Sequence, residues 1–98
     1  MKSKFKNDKY KHVRGASRLL RISCRQCDSV ICHYQKDGHG GLFRLYLDRI
    51  SNANTALEDK GLNCPNGHLV AVKIIYEKES RPAFRLLPSA IMKKILET

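Results

Sequence analysis

At 98 residues, 42% of them hydrophobic, the chain has room for one small domain, and a core of that size often needs a staple. No stretch approaches the ~18 apolar residues of a membrane-spanning helix, so the reading is a soluble protein with no membrane partner. Nineteen Lys and Arg face nine Asp and Glu, a formal net charge of +10, and such an excess draws polyanions by Coulomb attraction and counterion release.

The excess is concentrated at the start, where eight basic residues up to Arg21 stand against a single acid, Asp8. Residues 1–16 carry few large apolar side chains and no helical or alternating period, so they cannot offset the entropy of ordering. They read as a flexible basic arm in which Lys4, Lys6, Lys9, Lys11 and Arg14 are candidate nucleic-acid contacts; a merely solubilising end is the plainer alternative. Residues 17–98 then form the folded domain.

From Arg18 onward, short apolar runs punctuated by turn residues predict a mainly β, small α+β fold. "RLLRIS" and "SVICHYQ" are strands flanking "CRQC", and "KDGHGG" reads as the turn of a further hairpin. "LFRLYLDRI" alternates as one strand, although its Phe43, Tyr46, Leu47 and Ile50 also fit a helix. "SNANTALEDKG" is a loop with a helical turn near residues 56–59. The nearly all-apolar "HLVAVKIIY" suits a central strand covered on both faces, and "EKESRP" turns it into "AFRLL". Ser89 is placed to cap a short C-terminal helix, "AIMKKILE", with Ile91, Ile95 and Leu96 on one stripe.

The chemistry lies in four residues. Cys24 and Cys27 stand two residues apart, which lets both thiolates face one ion while backbone N–H groups donate to the sulfurs. A redox couple is the alternative, but it needs a helix N-terminus that the strand–turn–strand pattern does not supply. No secretory signal is read at the start, so a reducing cytoplasm is expected, where paired thiols bind metal rather than bridge. "CPNGH" adds Cys64 and, beyond a Pro-Asn-Gly turn, His68, completing a Cys₃His donor set for one Zn²⁺. Cys32 competes with His68 for the fourth position; otherwise it is a small buried hydrophobe. Iron is the competing metal in a thiolate-rich tetrahedral site.

"CRQC" and "CPNGH" together resemble the zinc-ribbon group of small proteins, in which two knuckles at the tips of β-hairpins hold one Zn²⁺, usually as "CPxCG" turns. The sheet-based, Mss4-like group is similar. The resemblance implies an antiparallel zinc-ribbon-like sheet over residues 18–84, with Gly67 standing where such a ribbon carries its fourth cysteine.

The residues support three functional readings. In the first, zinc is structural and the chain binds RNA, a ribonucleoprotein or another polyanion through the arm and through Arg44, Tyr46, Arg81 and Arg85, whose guanidinium and aromatic groups suit phosphates and bases. The bland counterpart is that these arginines pair with Asp48, Glu77 and Glu79 on a solvated surface. The second reading is a zinc-scaffolded protein-interaction module. The third, a zinc or thiol enzyme, requires an open coordination position and ranks below the others.

Overall fold

A computed structural model describes residues 16–38, 40–55, 57 and 60–97. The arm, the helical turn expected near residues 56–59 and His39 lie outside the described residues, wholly or for the most part. Strands make up 58% of what is described, and helix is almost absent, so the mainly β expectation holds.

Among the described residues, eight strands form two open antiparallel sheets. The first sheet has the order β4 (Ile50–Ser51), β2 (Val30–Asp37), β1 (Ser17–Cys24), β8 (Ile91–Glu97). The second has the order β3 (Arg44–Tyr46), β7 (Arg81–Leu86), β6 (Leu69–Tyr76), β5 (Gly61–Asn63). Both knuckles sit at hairpin tips, "CRQC" between β1 and β2 and "CPNGH" between β5 and β6.

Three expectations need correction. "AIMKKILE" is not a helix but the edge strand β8, which pairs along β1 from Leu19 to Cys24. Its helical apolar stripe is overridden because β1, buried at Leu20, Ile22 and Cys24, needs a second hydrogen-bonding neighbour. Ser89 cannot cap a helix there, since its φ of 55° is left-handed whereas a capping residue is extended. "KDGHGG" does not close a hairpin either; it carries the chain from β2 in one sheet to β3 in the other. "LFRLYLDRI" is broken into β3, a 3₁₀ turn at Leu47–Arg49 and β4, because its two ends serve different sheets.

The core gathers alternate residues from both sheets. Leu20 and Ile22 of β1, Ile31 and Tyr34 of β2, Leu45 of β3, Val70 of β6 and Phe84 of β7 belong to one cluster, each 2% exposed or less. Strand β6 is central as expected but is not covered on both faces throughout, since Leu69 and Ile75 are exposed. A buried polar bond also spans the sheets, the Tyr46 backbone N–H donating to the Tyr34 hydroxyl at 2.9 Å. Burial pushes that hydroxyl's pKa well up, which keeps it protonated.

Candidate metal centre

Each half of the site is a turn whose backbone is fixed by its own hydrogen bonds. In the first, Asp28 N–H donates to the Cys24 carbonyl at 2.8 Å, and Cys24 N–H to the Ser29 carbonyl at 2.9 Å. In the second, Gly67 N–H donates to the Cys64 carbonyl at 2.9 Å, and Cys64 N–H to the His68 carbonyl at 2.8 Å. Gly67 adopts a φ of 92°, and a Cβ there would meet nothing within 4 Å, so conformation rather than space explains the glycine.

The two turns bring Cys24, Cys27, Cys64 and His68 together, with all four ligand atoms within 4.8 Å of one another. Cys27 Sγ lies 3.7 Å from Cys64 Sγ, and His68 Nδ1 lies 3.2 Å from Cys64 Sγ and 3.7 Å from Cys24 Sγ. Metal–sulfur bonds of about 2.3 Å and metal–nitrogen bonds of about 2.0 Å give tetrahedral edges of roughly 3.8 Å for S···S and 3.5 Å for S···N. These three separations lie close to those edges, and the remaining pairs lie within 4.8 Å. They are far too long for a disulfide, and all four cysteines are free thiols. This cluster can hold one metal ion.

The surroundings favour anionic sulfur at Cys27 and Cys64. Ser29 Oγ, 3.0 Å from Cys27 Sγ, is the main cause that lowers the Cys27 thiol to about 5, helped by the Ser29 backbone. At Cys64, burial pushes the thiol up, but donation from the His68 and Asn66 backbone and the imidazole outweighs it and the net direction is down. The His68 N–H lies 3.3 Å from that sulfur. Burial raises Cys24, the most enclosed member. Hydrogen bonding to Cys64 and Cys27 raises the pKa of the His68 imidazole, so the metal-free site draws a proton that an ion would displace.

Cys32 lies outside the cluster. It faces Ile22 across the β1–β2 ladder, fully buried, with its thiol pushed up to about 12 by desolvation. His33 bonds the Asn52 side chain at 3.1 Å. Of the two candidates for the fourth position, His68 is in the cluster and Cys32 is not.

The other candidate residues divide. Lys4, Lys6, Lys9, Lys11 and Arg14 lie outside the described residues. Tyr46 is 5% exposed and Arg81 4%, so neither presents a surface for stacking or phosphate binding. Arg81 pairs with Asp48 at 2.8 Å and Glu79 at 3.0 Å, and its guanidinium lies 3.8 Å from the centre of the Tyr46 ring. This arginine ties β7 to the 3₁₀ turn. Arg44 lies over Tyr76 at 4.1 Å, while Arg85, its register partner on β7, is exposed.

Two features escape a reading of the linear chain. Ser29 supports the metal site from just outside "CRQC", where an oxygen donor two residues after a cysteine is the only signal. A buried ion pair, Arg49–Asp37 at 3.0 Å with side chains 1% and 4% exposed, closes the opposite end of the β1–β2 hairpin. No family model, no curated protein and no solved structure matches this chain.

Proposed function

We propose that the chain is a zinc-stapled β module in which Cys24, Cys27, Cys64 and His68 hold one structural Zn²⁺, and that the scaffold so fixed binds nucleic acid. The observation that carries the first half is the convergence of four donors from two hairpins of different sheets to within 4.8 Å of one another. Four donors fill a tetrahedron and leave no position for a reactive water, which favours a structural over a catalytic ion. Zinc suits a Cys₃His set without redox chemistry, and a reducing cytoplasm keeps its thiols available. The second half rests on the net charge of +10 and on its concentration in residues 1–16, an arm preceding the zinc-stapled residues 17–98.

Native mass spectrometry of protein purified without an affinity metal tests the metal assignment. One zinc per chain is expected, and His68→Ala should lower metal retention and thermal stability together. A His68→Ala protein that holds zinc with unchanged affinity would overturn the closed site. Filter binding of RNA across a salt series tests the partner class; retention that ignores salt or is absent at low salt would overturn it.

A further inference from the structure

A groove of about 870 Å³ lies between the start of β8, the end of β7 with its connection to β8, and the segment before β3. Its lining includes Arg25, Arg44, Arg85 and Lys93, and no acidic side chain lines it among the described residues. Its bed is mostly apolar, with Phe43 and Met92 among the lining side chains. Phe43 is 67% exposed and lines this cationic groove, so its ring face is open to a planar ligand. The ring tip occupies the space beside Gly41 where a side chain would stand: a Cβ there would come within 2.8 Å of Phe43 Cζ. Glycine at 41 thus lets the ring settle across the groove's edge.

From this charge complementarity and aromatic placement we infer that the groove binds a single-stranded nucleic acid, its phosphates along the four cations and a base on Phe43. The inference rests on the nucleic-acid reading proposed for the chain and gives it a location. An unpaired strand is favoured over a duplex because bases must be splayed to reach an aromatic ring, and stacking of this kind is tolerant of sequence. Arg44 also stacks its guanidinium over Tyr76 at 4.1 Å. The groove is also tied to the metal turn. Arg25 belongs to "CRQC", its N–H donates to the Ala90 carbonyl at 3.1 Å, and its Nη2 lies 3.4 Å from the Ile91 carbonyl oxygen, so the knuckle fixes one wall of the groove.

Fluorescence anisotropy of the full, metal-loaded chain with a labelled single-stranded RNA of about 12 nucleotides tests this, with duplex RNA and poly-glutamate as competitors. Phe43→Ala should weaken binding about tenfold. An Arg85→Gln, Lys93→Gln double substitution should reduce the steepness of the log–log salt dependence by about 1.4, the share of two phosphate contacts. Each of the three substituted residues is exposed, so the fold should persist, which circular dichroism and metal content verify. Tight RNA binding unaffected by either variant would overturn the groove and leave the nucleic-acid reading standing. Equal competition by duplex would overturn the preference for single strands. Stronger competition by poly-glutamate would identify an acidic protein segment as the occupant instead. No binding of any polyanion at low salt would overturn both readings.

Discussion

The β1–β2 hairpin meets the problem of enclosed charge in two ways, one at each end. At its turn, Cys24 and Cys27 join Cys64 and His68 in a set of donors that could hold an ion. At its open end, Asp37 is satisfied by the chain itself: Ser17 Oγ donates to Oδ1 at 2.6 Å, Gln35 Nε2 to the same oxygen at 2.9 Å, and Arg49 Nε to Oδ2 at 3.0 Å. Both ends fasten the hairpin to later parts of the chain. With a structural metal, as proposed, the turn end would depend on metal supply and proton concentration, because ligand thiols must lose protons to bind, whereas the open end carries its own counter-charge.

The largest effect should therefore come from removing the ion. A strong chelator applied to the zinc-loaded protein is expected to collapse amide chemical-shift dispersion, since apparent binding energies of structural zinc, about 10–16 kcal/mol in small domains, exceed the net stability of most domains. Dispersion that survives verified metal removal would show that the core, and the Asp37 end, suffice alone. Acid should act in the same direction, as protons compete for the three sulfurs and the imidazole.

Next in size is the open end. Arg49→Ala leaves the Asp37 carboxylate enclosed without its cation, and breaking such a pair costs roughly 3–5 kcal/mol. Replacing the pair together, as Arg49→Met with Asp37→Leu, should recover part of that loss because neither charge is then stranded. Denaturant unfolding of the zinc-loaded single and double variants measures both. A loss below about 1 kcal/mol for Arg49→Ala would place the pair among ordinary surface bridges.

The metal end is legible along the chain because each half of its ligand set lies within five residues, and turn chemistry fixes the local geometry. The hairpin tips are equally legible. The Asp37 end is not, since Ser17, Gln35, Asp37 and Arg49 become neighbours only after β1 pairs with β2 and the 3₁₀ turn redirects Arg49. The same cause lies behind the strand at residues 91–97: "AIMKKILE" satisfies a helical period, and only the vacant edge of β1 makes it a strand. Arg81 shows the limit for surface chemistry. Its neighbours in sequence invite a phosphate-binding reading, while its partner Asp48 lies 33 positions away.

The smallest effect separates the ligand cysteines from the fourth one. Cys32 sits on the same hairpin, between the two ends, and desolvation alone pushes its thiol up to about 12, against an ordinary value of 9.0. In the unfolded chain the thiol would ionise first, so this group's contribution to stability is present below about pH 9 and is lost as pH rises towards the folded value. Cys32→Ala should keep one zinc per chain, cost about 1 kcal/mol at neutral pH through lost packing, and lose less stability than the parent between pH 9 and about 11. Metal content and denaturant midpoints over that range supply the measurement. Loss of zinc in Cys32→Ala would move this cysteine into the ligand set, and an unaltered alkaline slope would show that its thiol is not the group that titrates.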